Sequence, residues 1–414
     1  MRDGPGDVPQ HPGVVVSVGI DLFAAEFRAD PHPAYATLRQ SAPVLHHPQD
    51  FWVVSRYADV AALQRSPHSV EETSLRIVPA FKSDTARLGA QNRMMHGLSV
   101  LDRDPPDHHR LRRLLAGPFT RGAIAARADR IQRMVYSALD DVAAAGTIDL
   151  MPEVIFGLPF TLISEIIGLP AVDVDAVRRH TAVLTLGLEP LPEPGVQQQI
   201  RAANDQLTEI IGDAVRRKRA HPADDLLSEL ITAEREGVLD EAELVAQVML
   251  VFIAGHETTV NLIGSGVATL LAHPEAAELL RHRPGLMANA VEEILRFEPS
   301  VHLMRRITLG PLEIGQTVIP DGALVIGAVA AANRDPDFWG SDAEYFRPDR
   351  ALAPRHLSFG AGVHHCLGAA LARAEATAFL RAFVQRFPRA RLCSSDWNGR
   401  INVRGPASMV VSVD

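Results

Sequence analysis

Cysteine is nearly absent from this 414-residue chain, occurring only at Cys366 and Cys393. Two cysteines cannot build a disulfide framework, and their scarcity fits a reducing compartment. Lysine is equally scarce, found only at Lys82 and Lys218 while arginine abounds; this reads as coding bias and carries no mechanistic weight. Aromatic residues make up 5% and the formal net charge is -9. With no long basic run and little aromatic material between basic residues, the chain has no electrostatic footprint for nucleic acid.

The N-terminus lacks a positively charged stretch followed by an apolar core, and Val14-Val15-Val16 is too short to anchor or export a chain. The expectation is a cytoplasmic protein, taken as a monomer, with residues 1–20 a flexible leader and residues 21–414 one domain. No Pro-, Gly- and Ser-rich linker and no internal repeat divides the chain further.

What is abundant is apolar material, 47% of residues, enough to bury a large core. Apolar positions recur every three and four residues through Ala-, Leu-, Arg- and Glu-rich segments, as from Arg121 to Ala145, predicting helix. Strand signals are fewer: Phe51 to Ser55, Leu312 to Ile319, Ala323 to Val329 and Met409 to Val413. The fold class expected is therefore mainly α with a smaller β-rich region.

One predicted helix runs from a capping-box-like start at Asp240-Glu241-Ala242-Glu243 to a stop at His273-Pro274. Between Leu244 and Leu271 its only formal charge is Glu257, so by hydropathy it qualifies as a membrane span. Its centre, Ala254-Gly255-His256-Glu257-Thr258-Thr259, gathers polar groups that are rare inside a bilayer, which favours a buried core helix with a functional notch and no membrane. Gly costs roughly 1 kcal/mol against Ala in a helix interior. Gly255 therefore predicts a local opening of the helix, against the alternative of a helix packed closely on a neighbour.

The strongest motif is Phe359-Gly360-Ala361-Gly362-Val363-His364-His365-Cys366-Leu367-Gly368, a glycine-rich loop entering a helix-like stretch from Ala369 to Phe383. A thiolate needs backbone N–H donors and a favourable dipole, and a tight glycine loop at a helix N-terminus offers both. A buried structural cysteine, or a Cys–His nucleophile using His364 or His365, are the competing readings. Neither accounts for the paired glycines or for Phe359.

This loop resembles the haem-binding loop of the cytochrome P450 superfamily, matching Phe-Gly-x-Gly-x-His-x-Cys-x-Gly at every fixed position. The resemblance implies the cytochrome P450 fold as a single haem domain, with Cys366 as the thiolate ligand of haem b, the ligation type known for these enzymes. Phe359, Gly360, His364 and Gly368 then line the cofactor. Glu293 and Arg296, three apart on one helix face, match the family's Glu-x-x-Arg pair and imply a structural triad with Arg350. Ala254, Gly255, Glu257 and Thr258 match its oxygen-binding helix. Glu257 and Thr258 would be the catalytic pair, a carboxylate beside a hydroxyl relaying protons in a dry pocket, with Ala254 against the haem.

The segment from Asp104 to Arg113 resembles the family stretch whose His and Arg, four apart, face the haem propionates; here these are His108 and Arg112, completed by Arg306 and His364. Arg306 is chosen over Arg305 only by counting back from Glu313-Ile314-Gly315. Asn333-Arg334-Asp335-Pro336 fits as well, so the resemblance runs from about Asp104 to Gly405.

The implied activity is that of a haem-thiolate monooxygenase that activates O2 and oxidises, most simply by hydroxylation, an apolar or amphipathic small molecule such as a secondary metabolite. Epoxidation, dealkylation and aryl coupling are the alternatives. Its pocket is expected to involve the loop between Leu75 and Leu98, the region 183–200, Leu98, Leu250, Ile253, Ala254, Val301, His302 and Met304. Two cysteines cannot hold an iron–sulfur cluster, so electrons are expected from NAD(P)H through a ferredoxin reductase and a ferredoxin, with Arg110 and Arg113 as docking cations. A non-catalytic haem-binding or recruitment module would be expected to lose Cys366 or the Glu257-Thr258 pair, and a cysteine hydrolase would be colourless.

Overall fold

The computed structural model describes residues 24–77, 97–169, 174–189 and 196–413. The leader expected over 1–20 and most of the loop between Leu75 and Leu98 lie outside these residues.

Helices dominate. In chain order they are α1 (Ala25–Ala29), α2 (His32–Ser41), α3 (Tyr57–Arg65), α4 (Asp107–Leu115), α5 (Arg121–Ala125), α6 (Ala128–Ala145), α7 (Gly157–Ile167) and α8 (Val174–Leu184). There follow α9 (Val196–Ala220), α10 (Leu226–Arg235), α11 (Glu241–Ala272), α12 (Pro274–His282), α13 (Met287–Phe297), α14 (Val329–Ala332), α15 (Pro336–Trp339) and α16 (Ala369–Arg386). The periodicity read as one helix from Arg121 to Ala145 is split by a turn at Ala126-Arg127, where the Arg127 N–H reaches only back to the Ile124 carbonyl.

The strands are β1 (Val44–His47), β2 (Phe51–Val54), β3 (Thr147–Asp149), β4 (Leu303–Ile307), β5 (Leu312–Ile314), β6 (Thr317–Ile319), β7 (Leu324–Ala328), β8 (Arg391–Trp397) and β9 (Pro406–Ser412). They form a sheet in the order β1-β2-β7-β4, a second in the order β3-β9-β8, and the β5-β6 hairpin. In the larger sheet β2 and β7 are parallel, with Trp52 opposite Val325, and the other pairings are antiparallel. Two apolar clusters flank it, one built on Phe51, Val53 and Ile326, the other on Val54, Val60 and Val325. The large core is helical and is threaded by α11.

α11 starts at the expected capping box: the Asp240 side chain accepts from the Glu243 N–H at 2.7 Å, and the Glu243 carboxylate accepts from the Asp240 N–H. Its apolar stretch is long enough to cross a membrane, yet 78% of the most apolar window is buried inside the protein. The helix is continuous through residues 254–258, so Gly255 does not open it. A Cβ at Gly255 would lie 2.5 Å from Cγ1 of Ile163, so the glycine is there to let α7 pack directly on α11.

Candidate active site

α11 and the loop before α16 contribute the central residues. In that loop the Cys366 N–H donates to the Phe359 carbonyl at 2.8 Å and the His365 N–H to Gly362 at 3.2 Å. Gly360 and Gly362 both have φ of 69°, a region that side-chain-bearing residues avoid. Gly362 is further constrained because a Cβ would sit 3.2 Å from the Gln64 carbonyl on α3.

The Cys366 side chain is accessible on one side, yet the thiol lies deep enough for burial to dominate its titration. Burial pushes it above its ordinary value, against the pull of the Gly368 and Ala369 N–H groups and of Arg112 and Arg373. The loop's donors alone therefore do not hold a thiolate; a bound metal cation would, since a coordinating thiol is deprotonated outright.

Four residues expected near one another from the sequence do come together. The His108 and His364 rings meet edge to face with centroids 4.4 Å apart. Arg306 and Arg112 both bear on His364, and Asp104 lies 3.9 Å from its Nε2. Of the adjacent arginines in β4, Arg306 is buried, whereas Arg305 is exposed and pairs with Glu72 and Asp102. Arg112 donates to the His365 carbonyl at 2.7 Å, joining α4 to the cysteine loop.

Three buried nitrogens in this cluster, His108 Nδ1, His364 Nε2 and Arg306 Nε, have no hydrogen-bond partner among the described residues. Burial and the neighbouring cations push His108 down to about 4 and His364 down to about 3. Enclosed polar nitrogens left without hydrogen-bond partners are costly unless a polar ligand completes them, and the arginines beside them favour an anionic one. The cluster thus fits a group bearing carboxylates, as haem does.

Glu293, Arg296 and Arg350 form one fully enclosed network. Arg296 grips Glu293 through two bonds of 2.7 Å, and Arg350 donates to the same carboxylate at 3.0 Å. Arg296 also donates to the carbonyls of Asn333 and Ala343. Asn333, quoted from the sequence but given no role, carries the network onward: its side chain accepts from the Leu357 N–H at 2.8 Å and donates to Ser358 Oγ at 2.8 Å. The next residue, Phe359, begins the cysteine loop.

Glu257 and Thr258 are neighbours but do not bond to each other. The Thr258 hydroxyl donates back to the Ala254 carbonyl at 3.0 Å. The Glu257 carboxylate accepts from Thr181 of α8 at 3.4 Å and lies 3.7 Å from His256 Nε2. Burial pushes Glu257 up, but His256, Arg400 and Thr181 outweigh it and hold the carboxyl below its ordinary value. Ala254 is exposed in the middle of an otherwise buried helix.

The expected pocket residues divide. Leu250 and Ile253 are buried in the helical core, and Leu98, Val301 and Met304 are half-buried. His302 is fully buried and packs on Tyr35 and His32 of α2, so it belongs to the junction with the N-terminal helices. Arg110, expected to meet a partner protein, is engaged within the chain by Glu243 at 2.6 and 3.0 Å. Part of the region 183–200 lies outside the described residues.

Comparison with known proteins agrees with this geometry. The family model described as Cytochrome P450 matches residues 193–283 and 285–393. The chain is 37% identical over 403 residues to Cytochrome P450 107B1 of Saccharopolyspora erythraea, covering 93% of this chain and 96% of that protein. It is 38% identical over 384 residues to the Vitamin D(3) 25-hydroxylase of Pseudonocardia autotrophica, covering 88% and 89%. Among solved structures, the myxobacterial cytochrome P450 CYP267B1 in complex with myristic acid superposes with a TM-score of 0.85 at 33% identity, over 95% of this chain and 98% of that one.

Proposed function

The chain belongs to the cytochrome P450 family of haem monooxygenases, and on that premise we propose that Cys366 ligates the haem iron while His108, Arg112, Arg306 and His364 grip its propionates. The observation that carries this is the cluster of three enclosed nitrogens beside the cysteine loop that have no partner among the described residues. When bound, the haem supplies the activation of dioxygen. The protein's own residues orient it, exclude water and handle protons.

Glu257 takes protons at its carboxyl oxygens and Thr258 presents its hydroxyl at the notch beside Ala254. To pass a proton between them Glu257 must leave Thr181 and turn, because the two groups are not in contact in the resting arrangement. Phe359, Gly360 and Gly368 shape the cofactor side of the loop. Glu293, Arg296, Arg350 and Asn333 hold that loop in register from behind.

The substrate is an apolar or amphipathic small molecule, bound against Ala254, Leu98, Val301 and Met304, and the reaction is a hydroxylation. The names of a vitamin D3 hydroxylase and of a relative holding myristic acid support that chemical class. Electrons arrive from NAD(P)H through a reductase and a ferredoxin, because two cysteines cannot hold an iron–sulfur cluster. Arg113, exposed and, among the described residues, bonded only to its own helix at His109, is the better docking cation. The burial of the apolar helix α11 supports a cytoplasmic enzyme.

The test is Thr258→Ala, supplied with a surrogate ferredoxin system and myristate as probe. It should keep the haem spectrum and divert electrons into hydrogen peroxide. A variant as well coupled as wild type would remove Thr258 from the relay.

A further inference from the structure

His256 has no role in the reading above, yet it is fully buried and lies beside the residue that handles protons. Its ring sits among three phenyl rings, Phe156, Phe160 and Phe252, at centroid distances of 5.6, 5.7 and 5.1 Å. Nδ1 lies 2.7 Å from the Phe252 carbonyl. A carbonyl oxygen only accepts, so Nδ1 carries a proton.

The other nitrogen is then decisive. Among the described residues Nε2 has no hydrogen-bond partner, and the Glu257 carboxylate lies 3.7 Å from it. If the imidazole were neutral, its Nε2 lone pair would face an ionised carboxylate inside the protein, two acceptors with no hydrogen between them. Such an arrangement is repulsive, and with His256 fully buried its Nε2 has no solvent to relieve it. One proton on Nε2 removes the repulsion.

We propose that His256 and Glu257 form one ion pair at rest, an imidazolium 3.7 Å from a carboxylate with a single acidic proton for the two groups, and that this pair, rather than the Glu257 carboxyl alone, is the proton-holding unit beside Thr258. With the proton on Nε2 the pair is an imidazolium and a carboxylate, each the other's counter-charge. With the proton on Oε1 it is a neutral imidazole protonated at Nδ1 and a carboxylic acid. That acid is free to turn away from Thr181 and donate at Thr258; a proton from solvent water then restores the pair.

The other charged groups bearing on the pair are Arg400, which helps hold Glu257 ionised, and Arg178 of α8, stacked on Phe156 at 4.6 Å. Arg400 favours the carboxylate form at rest. His256 is a positioning residue in this scheme, acting through Glu257. The proposal rests on reading Glu257 and Thr258 as the relay.

Infrared spectroscopy of the ferric holoenzyme tests it without turnover. Wild type is expected to show no protonated-carboxyl stretch from Glu257. His256→Phe should gain one, because the buried carboxyl loses its imidazolium partner and takes a proton of its own. The new band should vanish in the His256→Phe/Glu257→Gln double variant. If His256→Phe fails to fold, His256→Leu, which likewise removes the donor, should show the band. The carbon monoxide spectrum of the reduced variants verifies that the haem site is intact. A Glu257 band already present in wild type, or none in either single variant, overturns the ion pair. Neither result touches the relay itself, which the peroxide yield of Thr258→Ala tests separately.

Discussion

Arg112 reaches from α4 to the carbonyl of His365 at 2.7 Å, the residue that immediately precedes Cys366. One guanidinium thus ties the proposed propionate cluster to the proposed iron ligand. Charge-assisted bonds of this kind contribute about 1.5–3 kcal/mol each. Arg112→Ala should therefore speed haem loss to an apo-globin acceptor by roughly ten- to a hundredfold, on the same energies. Arg112→Lys should recover only part of it, because an ammonium cannot serve both partners with a planar fork.

Gly255 packs against Ile163 and leaves α11 continuous. Gly255→Ala should cost about 1–3 kcal/mol by overpacking. Gly255→Ala/Ile163→Ala should regain part of that loss. Urea unfolding of the singles and the double measures the coupling.

The Glu293–Arg296–Arg350 network is enclosed on all sides, with Glu293 and Arg296 both at zero exposure. Removing one partner strands the other charge, at about 3–5 kcal/mol. Glu293→Gln should therefore fold poorly and lose haem, since the Asn333 link to Leu357 depends on Arg296 being held. Haem content at fixed protein concentration reads the effect.

His302 supplies a pH dependence of stability. Burial, then Arg404 and His32, push it well below its ordinary 6.5, so it stays neutral in the fold. As pH falls below 6.5 the unfolded chain binds a proton that the folded chain refuses, and stability drops by up to about 1.4 kcal/mol per pH unit. Glu298, held near 2 against the push of burial by His32 and Arg334, stays ionised through this window. His302→Gln should flatten the acid limb by one proton, measured by urea unfolding at about pH 7.5 and about pH 5.5.

Much of this is legible in the sequence. The capping box at Asp240 and the His273-Pro274 stop bounded α11 because local chemistry alone sets those ends. The Cys366 loop was legible because its glycines need positive φ. By contrast β8 is largely exposed along its length, so it has no alternation to detect. Gly255, His302 and Arg110 were misread for a common reason. Each is defined by a partner distant in sequence, Ile163, Tyr35 and Glu243 respectively. His256 was visible among the polar groups at the centre of α11, but its approach to Glu257 was not, because adjacent helical residues ordinarily point apart.

The central claim is that Cys366 ligates haem iron, and the carbon monoxide difference spectrum of the reduced protein tests it most directly. Wild type should show the red-shifted Soret band of a thiolate-ligated haem, and Cys366→Ser should lose it. A protein that takes up no haem, or whose Soret band is the same in wild type and Cys366→Ser, would contradict the account.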